Sequence, residues 1–339
     1  MKKRIGFLAL VVGLNLSGFA QQDKHFSMFA ESPVYLNPAA AGFFPGNLQL
    51  FSNFRMQWMS VSATPFQTIS ASADWRMMDR GSFLGAGINF HNDISGDSKY
   101  MTNEVSFPIN YAIELGRDNH FSIGLQPGWY QRTIVNQNVT WDNQWTGTSF
   151  NTSYSSNEVL LNEKMNVSRF DIGAGAYWYT NISKQTRLSF GIAGSHLTKQ
   201  KINFMNDDNK LYRKLTLHGQ CSFTQSNSNL TIIPAFYTFF QGPNKEFTVG
   251  SNFRFLLRGS SRVTGHFEEI TLSLGAYYRI GDALLTNLIF QISGLSIGAA
   301  YDLNLSRLNI ASNGVGGFEF FLRYRIQFGK GGMGNPSIH

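Results

Sequence analysis

Gly294-Leu-Ser-Ile-Gly298 has the spacing of a serine-hydrolase elbow. That elbow lifts a serine hydroxyl on a strained turn between a strand and a helix. Here Ser296 runs on into two-residue alternation as far as Ser306, so no helix follows and the match reads as a turn entering a strand. The seven histidines are His25, His91, His120, His196, His218, His266 and His339. None pairs at metal-ligand spacing, and neither HExxH nor CxxC occurs. Several fall in expected loops or termini, which reads as solvated imidazole. The stretch from Phe204 to Lys210, "FMNDDNK", looks like a crude calcium loop but lacks the glycine and terminal glutamate of an EF-hand. It reads as a polar loop. No Walker-type phosphate loop is present. The sequence therefore predicts no enzyme, no catalytic residues, no metal and no cofactor.

The chemistry that remains lies in the strands. Glu319 to Phe328, "EFFLRYRIQF", sets Phe320, Leu322, Tyr324, Ile326 and Phe328 against Glu319, Phe321, Arg323, Arg325 and Gln327. The same rhythm recurs in "EEITLSLGAYYRI", "LSIGAAYDLNLS" and "RFDIGAGAYWY". Period two with one apolar and one polar face predicts half-exposed strands. Fourteen such segments are expected, near 47–58, 65–77, 82–91, 102–115, 120–135, 168–180, 186–198, 212–224, 229–241, 246–258, 269–280, 284–293, 295–306 and 316–328. Soluble strands average about five or six residues, whereas strands that cross a bilayer at a tilt need about nine to eleven. In hydrocarbon every backbone polar group needs an internal partner, and a closed barrel provides one. The predicted fold is an all-β transmembrane antiparallel β-barrel, apolar side to lipid, in the outer membrane.

Composition agrees. Charged residues are 14% of the 339, against about 25% in a typical soluble chain. Aromatics are also 14%, and Trp58, Trp75, Trp178 and Phe328 at strand ends suit interfacial girdles. Gly173, Gly175, Gly275 and Gly298 are expected to leave room in the lumen. Residues 1–20 have a basic start, an apolar middle and small residues before Gln21, the pattern of a secretory signal peptide. One cysteine, Cys221, gives no disulfide framework. The formal charge of +7 includes Lys2, Lys3 and Arg4 of that leader and is too mild to argue for nucleic acid.

Between leader and barrel, residues 21–46 have no alternation but several aromatics, Phe26, Phe29 and Tyr35 among them. They are costly to leave in water, so ordered contact with the barrel is expected, as a periplasmic or plug segment. Barrel 47–328 and a periplasmic tail 329–339 complete the expected domains. With the first strand rising from the periplasm, the even-numbered gaps are mostly short, and the odd gaps, which include the long ones at 91–100, 136–167, 198–210 and 308–316, face outside.

"YLNPAAAG" (Tyr35 to Gly42), the stretch Phe54 to Asp74 and the stretch Ala299 to Ile326, together with "FDIGAGAYWY" and "GIAGSHLTKQ", resemble the PorP/SprF family of type IX secretion system membrane proteins of Bacteroidetes. The resemblance runs in order along the mature chain. Met56 stands where the family often has Asn, and Ala40 where it often has an aromatic. The early NPA stretch is also similar to the hatch of FadL-like transporters. The resemblance implies an outer-membrane component of the type IX export and gliding machinery, one that assists export or cell-surface attachment of a secreted cargo or adhesin and contacts other secretion components. The cargo's terminal domain is expected on the external loops, at Trp141, Trp145, Phe150, Phe204 and Tyr212. Aromatics in a polar stretch are common at interfaces, although they equally pack a loop onto the barrel mouth. Arg55, Arg76, Asp302, Glu319, Arg323 and Arg325 are expected in the lumen, holding the plug through charge-assisted bonds. The alternative function is a FadL-like channel for small hydrophobic molecules.

Overall fold

In the computed structural model the described residues are 23–62, 64–96, 98–116, 118–134, 140–157, 165–202, 210–259, 269–306 and 309–328. The expected leader, the 329–339 tail, Phe204, His266 and nearly all of the calcium-like loop lie outside them.

Alternation in the sequence becomes strand wherever hydrocarbon and lumen face opposite sides. The strands are β1 (Leu48–Gln57), β2 (Phe66–Arg80), β3 (Ser82–Ser95), β4 (Tyr100–Ser106), β5 (Ile109–Gly116), β6 (Asn119–Ile134), β7 (Asn166–Asn181), β8 (Thr186–Ser195), β9 (Lys214–Thr224), β10 (Leu230–Gln241), β11 (Asn244–Arg258), β12 (Ile270–Arg279), β13 (Ala283–Ile292), β14 (Leu295–Asn304) and β15 (Val315–Ile326). Neighbours pair antiparallel around the ring, and β1 pairs with β15 from Leu48↔Ile326 to Gln57↔Gly317, which closes it. Closure removes the open edges that lipid could not satisfy.

β4 and β5 are two halves of one stave. Both lie between β3 and β6. The single strand expected at 102–115 is broken because Pro108 has no N–H to donate. The backbone compensates: Phe107 N donates to the Pro127 carbonyl at 2.9 Å, and Gly87 N to the Pro108 carbonyl at 2.8 Å. Among the described residues the barrel thus has fourteen staves, as expected. The seventh expected segment, 186–198, ends early, at Ser195, because His196 takes a left-handed φ of 55°.

The pleat sorts the two faces. On β15 Phe320 is 41% exposed and the adjacent Phe321 is fully buried. Leu322, Leu274, Tyr278 and Ile297 are likewise exposed, while Arg55, Arg76, Arg279, Arg323, Asp302 and Glu319 are buried. The molecule is apolar outside and charged inside, the inverse of a water-soluble barrel. Trp58 departs from the girdle expectation: its φ is 63°, and it lines a lumen cavity.

Residues 23–46 lie inside the ring. They carry three short 3-10 turns, Phe29–Glu31, Pro33–Tyr35 and Pro38–Ala40. Proline opens the last two, where its fixed φ suits a first helical position. Asp23 meets the rim at the ends of β8 and β10, whereas Gly46 and Asn47 meet Ile326 at the opposite rim. The segment therefore crosses the lumen from the long-gap end to the short-turn end.

Candidate functional site

Three sets of contacts hold this segment. The first is built on the closing seam. Arg55 on β1 lies directly opposite Glu319 on β15, and its Nη2 is 2.9 Å from Asp302 Oδ2. Its Nη1 is 3.4 Å from Glu319 Oε2 and donates to the His25 carbonyl at 2.8 Å. The two carboxylates then take donors from the plug. Ser27 N donates to Glu319 Oε2 at 2.7 Å, Met28 N to Glu319 Oε1 at 3.1 Å, and the Ser27 hydroxyl to Asp302 Oδ1 at 2.6 Å. Asn53 and Arg279 complete the surround, at 2.9 Å from Glu319 and 3.6 Å from Asp302. Bonds to buried carboxylates are the strong kind.

The second set is at the outer rim. His196 is held between Asp171 on β7 (2.6 Å) and Asp23 of the plug (2.9 Å). Lys214 is 3.6 Å from the same Asp23 oxygen, and Lys24 is 3.0 Å from Glu104. Burial alone would raise the Asp23 carboxyl, but the His196 imidazolium and the Lys214 ammonium outweigh it and hold it well below the usual carboxylate range. Burial alone would lower His196, and Asp23 and Asp171 reverse that, pushing it up to about 10. A raised imidazole stabilises the folded state fully below its unfolded value of about 6.5, and that contribution fades as pH climbs. The melting advantage of the native chain over His196→Gln is therefore expected to be full below about pH 6.5 and to vanish as pH rises through about 10. An advantage that does not change with pH refutes the assignment.

The third set is a glycine groove. Asn37 Nδ2 donates to the Ala176 carbonyl at 2.8 Å and its Oδ1 accepts from Ala39 N at 3.0 Å. A Cβ on Gly124 would lie 2.5 Å from Ala39 N, one on Gly175 2.1 Å from Asn37 Oδ1, and one on Gly191 2.6 Å from Asn37 Nδ2. Glycines on β6, β7 and β8 thus admit the NPA turn against the wall. Of the glycines expected to leave room, Gly175 faces the plug; Gly275 accommodates Asn252 and Asn287, and Gly298 the Phe321 ring.

Arg76 sits with its guanidinium carbon 4.1 Å from the Phe83 ring centre. Arg323 donates to the Glu31 carboxylate at 2.7 Å and to Ser296 Oγ at 3.1 Å, so the serine of the elbow-like match is a buried acceptor. Arg325 donates to Gln49 at 2.8 Å. The expectation of solvated histidines needs correction. His91, His120, His196 and His218 are buried, and Tyr35 of the plug packs on His91 with ring centres 4.6 Å apart. The inner wall is lined by polar side chains throughout, so a histidine on a strand's inner face is a wall residue.

Outside the lumen, residues 140–157 form a ledge. Thr146 N donates to the Ser149 carbonyl at 2.9 Å and Asn151 N to the Gln144 carbonyl at 2.8 Å. Trp145 and Phe150 bridge across this turn with ring centres 4.9 Å apart, both about half exposed. Trp141, in the same segment, is partly buried. Tyr212 stands apart, its ring against Gly242.

A family model described as type IX secretion system membrane protein PorP/SprF matches residues 18–324. The chain belongs to the PorP/SprF family. It is a component of the type IX secretion system in the outer membrane, and neither the family nor the fold is one of known enzymes. No curated protein matches it. Solved structures share the fold, two outer-membrane transporters or channels among them. The Ralstonia pickettii toluene transporter TbuX is 10% identical, with a TM-score of 0.52 over 87% of this chain and 93% of that one. The monoaromatic hydrocarbon channel CymD is 10% identical, with a TM-score of 0.50 over 89% and 94%. At such identity the likeness concerns backbone alone. The lumen of this PorP/SprF barrel is charged and latched to its plug.

Proposed function

We propose that this PorP/SprF barrel is a membrane-fixed frame on which a secreted type IX cargo or adhesin docks through its C-terminal domain, for export or for attachment at the cell surface. The observation that supports this is the Trp145–Phe150 pair, two adjacent half-exposed rings on a loop tied by its own hydrogen bonds. Rigid aromatic anchors lose little side-chain entropy on binding and dominate interface energetics. A pull-down in gentle detergent from native membranes tests it. The native chain is expected to retain one large exported protein. Trp145→Ala with Phe150→Ala is expected to reduce that recovery at least tenfold, since such anchors are each worth about 2 kcal/mol. Equal recovery with both chains, or recovery of the barrel alone, refutes the docking role.

A channel for small hydrophobic molecules fits less well. The cavity of about 650 Å³ at the outer end is lined by Asp23, Lys24, Lys245, Glu246, Arg279 and Asp302 among others. An apolar guest would strip water from those groups without replacing their hydrogen bonds.

A further inference from the structure

A second recess of about 180 Å³ lies at the short-turn end, beneath residues 29–45 of the plug. Four guanidinium groups line it: Arg187, Arg254, Arg323 and Arg325. Its carboxylates are Glu31 and Asp74. Glu31 is taken by Arg323 at 2.7 Å, and Asp74 meets Gln49 at 3.5 Å. Arg325 spends one N–H on Gln49. Arg187 and Arg254 make no side-chain hydrogen bond or ion pair among the described residues. Arg323, 5% exposed, also keeps an Nε without an acceptor.

The recess thus gathers two more cations than anions, around a volume with room for a tetrahedral oxyanion. Like charges so placed repel, and the repulsion is stronger in a partly dried lumen than in water. Buried polar groups without partners call for an ion or a water to complete them. Arginine is the residue suited to such completion, because its planar fork matches carboxylate and phosphate geometry. Phe29, Phe43 and Tyr177 supply part of its wall.

We propose that this recess binds a phosphate group, with Arg187 and Arg254 as the principal donors and Arg325 as the third. The site is separate from the docking ledge and does not rest on that reading. The phosphate is either a soluble ion arriving from the short-turn side or a lipid head group reaching over the rim. One experiment separates the sources. The full chain is placed in phosphatidylcholine nanodiscs, titrated calorimetrically with inorganic phosphate, and melted with and without phosphatidylglycerol in the disc. Arg187→Gln with Arg254→Gln is run beside it, and Arg187→Lys with Arg254→Lys as the charge-keeping control. The expected result is saturable phosphate binding that weakens at least tenfold in the glutamine chain and only in part in the lysine chain. Circular dichroism and the protease pattern of residues 23–46 stay unchanged. Arginine-dependent stabilisation only in phosphatidylglycerol discs assigns the site to a head group instead. Identical behaviour of native and glutamine chains in both lipids overturns the proposal, as does the absence of any response to either source of phosphate.

Discussion

Arg55→Ala is expected to lower the stability of the folded barrel by about 3–5 kcal/mol, the scale for removing one partner of a buried charge pair. The cost comes from what remains. Asp302 and Glu319 are both buried on neighbouring strands, Glu319 opposite Ala300 and Asp302 two residues further along, and without the guanidinium they keep only neutral donors and the more distant Arg279. Ser27 loses the guanidinium contact at 3.1 Å, and the His25 carbonyl loses its donor at 2.8 Å. Two effects are expected together: a lower unfolding midpoint in detergent, and earlier proteolysis within residues 23–46. Asp302→Asn with Glu319→Gln, added to Arg55→Ala, removes the stranded charges and is expected to recover part of the loss. A melt of Arg55→Ala within experimental error of the native one refutes the account of the seam.

Gly124→Val is expected to expel the NPA turn from the wall. The added Cβ would stand 2.5 Å from Ala39 N and 2.7 Å from Ala39 Cα, both backbone atoms. They cannot retreat, because Asn37 fixes the turn to β7 and β8 through the Ala176 and Ile192 carbonyls at 2.8 and 3.3 Å. Overpacking a tight site costs about 1–3 kcal/mol when neighbours can yield, and more when they are main chain. The barrel wall itself need not change, since its ladder does not pass through the side chain. The expected readout is a closed ring with a displaced plug: unchanged β-sheet circular dichroism, a new protease site within residues 23–46, and raised ion conductance in planar bilayers. Gly259→Val is the control, because nothing lies within 4 Å of a Cβ there. Native conductance in Gly124→Val counts against the groove.

The wall was legible because its physics is local. Each inner residue is flanked by outer ones, so Phe320 and Phe321 could be assigned to lipid and lumen by parity alone. The lumenal placement of the charged strand residues follows from the same parity. The contacts of the plug were not legible, because they join residues far apart in the chain. Ser27 and Glu319 are 292 positions apart, and Asn37 and Ile192 are 155. No spacing rule connects them. Two signals existed and were weak. "NPA" is an asparagine cap followed by a proline start, which predicts a tight turn but not its seat. "GAG" in β7 marks a strand with space above it but not what fills that space. Histidines were misread because burial in a polar lumen is invisible to a scale that equates buried with apolar.

The seam has a consequence for assembly. Arg55 and Glu319 are partners on the first and last strands, and both bind the plug backbone. The strand pairing that completes the cylinder sets one guanidinium against two carboxylates, and Asp302 and Glu319 gain the donors of Ser27 and Met28 only when residues 25–28 lie beside it. Zipping the ends together and seating the plug are thus expected to be one event, with residues 25–28 enclosed before the last rungs form. A cylinder shut without its thread would hold ionised groups with too few partners, and the same groups would favour its reopening.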